Sequence, residues 1–288
     1  MSLMRKYFIV SAFIARGVVL LALGWTGLPS GRAADTASPT TSPVYDYAEP
    51  KLLTGTLYAI GSERKTVLYT FRRTATRSGS SVHVERQFLG TNGMVAAMEK
   101  VLYESNQLVS YEMQDFSARV SGAIHIEPDP ENPARSDIFI SYAHGLNPPK
   151  GRARTLPPDT VIDDTLYPFM LAHWDDLMQG KIVKFHFVSL EWERTFEFEL
   201  VKTGESLSNG QPVVQLTMKP TSLFIARLVK PLVFTVEQNG PHRLRSYVGR
   251  TTPRIQKGKS WKYLDAETVF HYPNKPPNTG GASNLIIR

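Results

Sequence analysis

The residues best suited to chemistry stand in pairs within alternating stretches of sequence. His83 with Glu85, and His125 with Glu127, are two apart in strand-like runs and so share a face. Two such pairs joined across a sheet would offer ligands to a divalent ion. Ligand type alone does not make a metal site, because distance and geometry decide it. Neither H-E-x-x-H nor H-x-H occurs among the seven histidines. Polar residues on the wetted face of a sheet account for both pairs.

A third group, His173 with Asp175 and Asp176, lies on a helical pattern. His173 falls on the apolar side next to Trp174, the position of a hydrogen-bonded core histidine, and the two aspartates fall on the solvated side. No serine sits in a G-x-S-x-G elbow, and no Gly-rich phosphate loop is present. Paired carboxylates for glycoside hydrolysis have no local motif, since their separation of about 5 to 9.5 Å is set by tertiary structure. There is no cysteine, so disulfides, thiolate metal sites and cysteine nucleophiles are excluded together. Lys257-Gly258-Lys259 with Trp261 and Tyr263 is a basic, aromatic stretch of the kind that meets nucleic acid or anionic lipid. An exposed hairpin tip explains it as well. The net charge of +7 includes Arg5, Lys6, Arg16 and Arg32 in the first 34 residues, which hold no acid, so only +3 belongs to the rest. A nucleic-acid reader carries a denser basic face. The reading is therefore no nucleic-acid partner, no cofactor and no metal.

The first residues have the pattern of an export signal. Arg5 and Lys6 precede an apolar stretch from Gly17 to Gly27, and small residues follow at Gly31, Ala33 and Ala34. This predicts a cleaved signal peptide over 1–33, a periplasmic protein, and no transmembrane domain after cleavage. Residues 34–50, rich in Ser, Thr, Pro and Ala, predict a disordered spacer, and 274–288 a flexible tail.

Between them, residues 51–273 read as one β-rich domain, with a possible subdivision near the proline-rich 128–160. Alternation dominates, as in Phe196, Phe198 and Leu200 against Glu197 and Glu199. Turn signals at Ser78-Gly79, Asn92-Gly93, Asn209-Gly210 and Asn239-Gly240 predict hairpins and antiparallel pairing. Two segments break the alternation. Residues 163–179 place Leu166, Met170, His173, Trp174 and Leu177 at helical spacing, with Gly180 suited to the end, and 222–229 predicts a shorter helix. The expected fold is mainly β, of the α+β class. It is a large curved antiparallel sheet, or half-barrel, wrapped around one principal helix at about 163–179 and a shorter one at about 222–229.

The order of these elements carries a resemblance. A helix ending in W-D-x-L-x-x-G precedes strand 181–188; an aromatic strand over 194–201, the 222–229 helix, Pro231, Leu244, Tyr247 and Gly249 follow. Residues 163–272 resemble a group of uncharacterised bacterial exported proteins (domains of unknown function), which are loosely similar to the curved sheets of periplasmic lipoprotein carriers. The resemblance implies a non-enzymatic binding or carrier module for a lipophilic small molecule, or an envelope scaffold partnered by an envelope protein. It transfers no catalytic residue. Candidate lining residues for a cavity are Phe169, Met170, Trp174, Phe185, Phe187, Phe196, Phe198, Phe234 and Tyr247. The same residues would equally fill a solid core. The alternative function is an envelope hydrolase whose His, Asp or Glu residues are assembled by folding.

Overall fold

The computed structural model describes residues 45–273, apart from 133, 134, 146 and 148. The regions read as signal peptide and tail lie outside the described residues, as does most of the spacer. Its last residues, Tyr45 to Pro50, are part of the packed molecule: Ala48 is buried, and Tyr47 stacks on Tyr103 with ring centroids 3.9 Å apart.

All fifteen strands of the described residues join one sheet. β1 (Leu52–Ala59), β2 (Val67–Ser78), β3 (Ser81–Gly90), β4 (Val95–Glu104), β5 (Gln107–Asp115), β6 (Val120–Pro128), β7 (Ser136–His144) and β8 (Lys150–Thr155) form an antiparallel meander. The short β9 (Thr160–Val161) then leads to α1 (Asp163–Ala172) and α2 (Trp174–Met178). A second meander follows through β10 (Val183–Ser189), β11 (Arg194–Ser208), β12 (Gln211–Pro220), β13 (Leu232–Glu237), β14 (Leu244–Lys257) and β15 (Ser260–His271), with α3 (Leu223–Ala226) between β12 and β13. β15 pairs antiparallel with β1, which welds the two meanders together. The only parallel pairing among the described residues is β9 with β10. The mainly β, curved antiparallel fold and both helical segments are as the alternation predicts. The principal helix, however, breaks at His173, whose φ of −108° and ψ of 18° leave the helical region.

Turn chemistry sets the register. Asn209 and Gly210 both have positive φ and close a two-residue hairpin between β11 and β12. Ser105-Asn106 does the same between β4 and β5 without a glycine.

The sheet rolls until distant strands touch across its concave face. An irregularity in β14 between Thr251 and Ile255 carries Arg254 over to β5 and β7. There its backbone N–H donates to Asp115 Oδ2 at 2.8 Å, and its Nη2 donates to the Tyr142 hydroxyl at 2.7 Å. Leu190, just after β10, lies against Gly122 of β6. A Cβ added at Gly122 would stand 2.8 Å from Leu190 Cδ1 and 3.2 Å from its Cβ. We expect Gly122→Leu to lower stability by about 1–3 kcal/mol by overpacking, and Leu190→Ala in the same chain to recover most of it. Urea unfolding of the two single variants and the double variant checks this.

The free edge β8 meets the β10–β11 turn across this seam. Arg154 Nε donates to the Glu193 carbonyl at 3.3 Å, and Arg152 pairs with the Glu193 carboxylate. β8 carries Lys150, Arg152 and Arg154 and is exposed throughout, and β9 has two residues. Charge on one edge and shortness on the other oppose edge-to-edge aggregation.

Candidate functional site

The rolled sheet encloses a cavity of about 570 Å³ between its two halves. Apolar side chains from the second meander form one wall. In the first meander three rows of directly opposed residues run across β2 to β5. The outer rows are mainly apolar: Ala75, Val84, Val101 and Tyr111 on one side; Phe71, Phe88, Ala97 and Asp115 on the other. The row between them reads Arg73, Arg86, Glu99, Met113, placing three charged residues on the inner face of the sheet.

The first turn of α1 completes this charged wall. Asp164 accepts from Arg73 Nε at 3.3 Å and from the Tyr103 hydroxyl at 2.7 Å, and lies 4.0 Å from Arg86 Nη1. Arg73 also donates to the carbonyls of Tyr47 and Pro50, which ties the N-terminal segment to the same cluster. Arg86 pairs with Glu99, which is only 1 % exposed. The Thr252 and Tyr111 hydroxyls also reach Glu99. Asp163 makes no hydrogen bond or ion pair with another described residue. By accessible surface Asp163 is exposed; it lines the cavity, where protein atoms crowd its carboxylate.

Three carboxylates therefore face two guanidinium groups. Burial pushes Glu99 and Asp163 above the usual carboxylate range, against the pull of Arg86. For Asp164 burial acts in the same direction, but Arg73, Arg86 and the Tyr103 hydroxyl outweigh it and hold the carboxyl below its usual value. Burial also raises the Tyr103, Tyr111 and Tyr247 hydroxyls, keeping them protonated as donors.

A second cationic group marks the mouth. Arg250 and Arg254 lie over the ring of Tyr263 at 4.2 and 4.6 Å from its centroid. Asp265 and Glu191 are their nearest carboxylates, at 3.9 and 3.7 Å. Besides the two atoms that meet in the Arg86–Glu99 ion pair, three buried polar atoms on cavity-lining residues have no hydrogen-bond partner among the described residues: Arg86 Nε, the Thr268 hydroxyl, and Arg250 Nε, which has only the Asp265 carboxylate 3.9 Å away. Such atoms are rare in folded proteins, and each marks a place where a partner is expected.

Of the aromatic and apolar residues read from sequence as lining, Phe187, Phe196, Phe198, Phe234 and Tyr247 do line this cavity. Met170 and Phe185 are packed in the solid core beside it, each 1 % exposed, and Trp174 stacks on His242. Phe169 lies on a separate outer groove with Tyr45 and Pro158. The charged wall was missed, although its signal is present: Arg73, Arg86 and Glu99 each stand in phase with the buried apolar residues two positions away. The His83–Glu85 and His125–Glu127 pairs do not converge. His125 pairs with Glu127 at 2.9 Å on the exposed face, and no group of His, Asp and Glu able to hold a metal ion occurs among the described residues. No described helix is long and apolar enough to cross a membrane.

Fold and site together define a rolled antiparallel sheet that closes around a ligand-sized, largely apolar cavity with an ionised wall. Comparison with protein-family models, with curated proteins and with solved structures finds no match.

Proposed function

We propose that the protein is a binding or carrier module for a lipophilic small molecule that carries one polar, hydrogen-bond-accepting group. The observation that supports this is the cavity itself. Its volume falls in the range of about 300–1,000 Å³ that small-molecule sites occupy, and its lining is mostly apolar with the charged residues gathered on one wall and at the mouth. The atoms on that lining left without a hydrogen bond among the described residues are donors on Arg86 and Arg250 together with the Thr268 hydroxyl. A carboxylate, phosphate or carbonyl on an apolar body satisfies them, and hydrocarbon alone does not. Periplasmic location is part of the same proposal, through the charged and apolar pattern of residues 1–33.

The test is binding of a fluorescent fatty acid in vesicle-free buffer, followed by competition with extracted envelope lipids. Phe187→Asp places a charge in the apolar wall and is expected to weaken binding at least tenfold. Leu207→Asp, at a site 73 % exposed on a hairpin tip, serves as the control and should leave binding unchanged. Equal binding by wild type and Phe187→Asp rejects the carrier reading.

One observation favours an enzyme instead. Glu99 and Asp163 are carboxyl groups on the cavity wall that burial holds protonated to higher pH, a property that general acids and bases share. In that reading Asp163→Asn abolishes turnover of an ester or glycoside substrate while ligand binding persists. Retained turnover in that variant removes it.

A further inference from the structure

The exposed apolar side chains are not spread evenly over the molecule. In a meander the connections alternate between the two ends of the sheet. One end collects the turns after β1, β3, β5, β7, β10 and β14 and the segment 221–231. Nine of the fourteen exposed large apolar residues among the described ones lie in or directly beside these connections, among them Met94, Phe116, Trp192, Leu223, Phe224 and Leu228. Leu223 is 85 % and Phe224 68 % exposed.

This end is also where the cavity opens. In the 221–231 segment Ile225, Leu228 and Val229 line the cavity, and Leu223 and Phe224 stand out in solvent one turn away. Trp192 lines the same mouth and packs edge-on against Phe196 at 5.0 Å. Thr221 donates its N–H to the Glu197 carbonyl, which holds the start of the segment beside that aromatic pair.

Charge is sorted in the same direction. The connections at the cavity end carry six cations against three carboxylates, and those at the opposite end carry three of each. Arg227 has no ion-pair partner among the described residues, and Lys230 is 83 % exposed with Asp265 3.5 Å away. Apolar side chains that protrude among cations match one kind of surface, an apolar layer beneath anionic headgroups.

We propose that this end docks on an anionic lipid surface, with Leu223, Phe224 and Trp192 entering the acyl boundary, Arg227 and Lys230 at the headgroups, and the cavity mouth turned toward the lipid. The docking rests on the surface alone and is independent of what the cavity holds.

The experiment is cosedimentation with vesicles of phosphatidylcholine and phosphatidylglycerol, 1:1, and with pure phosphatidylcholine. Wild-type protein is expected to bind the anionic vesicles and to bind neutral ones at least tenfold more weakly. Leu223→Asp/Phe224→Asp, both at exposed sites, is expected to lose at least tenfold in vesicle affinity with an unchanged melting temperature. Arg227→Glu is expected to weaken binding and its salt dependence together. Leu207→Asp, exposed at the opposite end, should bind as wild type does.

No binding to anionic vesicles, or equal loss in Leu207→Asp and the double variant, overturns the proposal. So does a double variant that dissociates a dimer rather than leaving a vesicle. Fatty-acid binding in vesicle-free buffer is measured on the same variants. Retained fatty-acid binding with lost docking supports this proposal, and lost fatty-acid binding in wild type rejects the carrier reading without touching it.

Discussion

Arg86→Met is expected to lower the free energy of unfolding by about 3–5 kcal/mol, the usual cost of removing one partner from a buried ion pair. Arg86 pairs with Glu99, lies 4.0 Å from Asp164 and pulls electrostatically on Asp163. Without it the buried Glu99 and Asp164 face Arg73 alone. Each must then be desolvated without compensation, or must take up a proton. The variant is accordingly expected to regain stability as pH falls, because its folded state binds protons more tightly than the unfolded chain does. The double variant Arg86→Met/Glu99→Leu should recover most of the loss, since an apolar pair of similar volume leaves neither charge stranded. Urea unfolding followed by tryptophan fluorescence and by circular dichroism measures both. A loss under 1 kcal/mol for Arg86→Met would mean that water reaches the pair and that the cavity wall is not desolvated.

The second large effect is a contrast between adjacent residues. Asp164→Asn is expected to destabilise by about 3–5 kcal/mol at neutral pH, since it strands Arg73 and half of the compensation of Arg86. Asp163→Asn is expected to be neutral or stabilising at the same pH. The signs follow from the pKa directions. The carboxyl of Asp164 is held below its unfolded value of about 3.9. Its contribution is therefore full above that value and lost as pH falls through the folded one. Asp163 and Glu99 are held above theirs. Their ionisation costs stability, which falls as pH rises from about 4 through their folded pKa values. Wild-type stability should therefore decline toward neutral pH, and Asp163→Asn should flatten that decline. Unfolding titrations from pH 3 to 8 read both slopes. A steeper decline in Asp163→Asn would contradict the placement of this carboxyl in the cavity.

The two residues are one position apart, and nothing local separates them. Both belong to the acidic first turn of α1 and would be read as helix-start residues that favour the positive end of the helix dipole. Their opposite behaviour arises because the helix enters the sheet with Asp164 toward Arg73 and Tyr103, while Asp163 opens into the cavity. The charged row on β2 to β4 is a different case. Arg73 stands between Phe71 and Ala75, Arg86 between Val84 and Phe88, and Glu99 between Ala97 and Val101, so their inward phase could be read from alternation alone. That Arg86 opposes Glu99 could not be read, because an irregularity between Phe88 and Leu89 shifts the register of β3 against β4 beyond what the Asn92-Gly93 turn signals.

Strand content, antiparallel pairing and the two helical segments were determined by the sequence itself, because side-chain alternation, Asn-Gly turns and helical spacing act within a dozen residues. Five of the nine proposed lining residues came with them, since an aromatic strand facing inward meets whatever the interior holds. Only the tertiary structure decided that the interior is a cavity with a charged wall and a mouth. Those features depend on how far a fifteen-stranded sheet rolls, and on which of its distant strands meet: Leu190 against Gly122, Arg254 against Asp115 and Tyr142. Contacts between residues more than sixty positions apart leave no periodicity in either partner, so the seam that shapes the site becomes visible only when the chain has closed on itself.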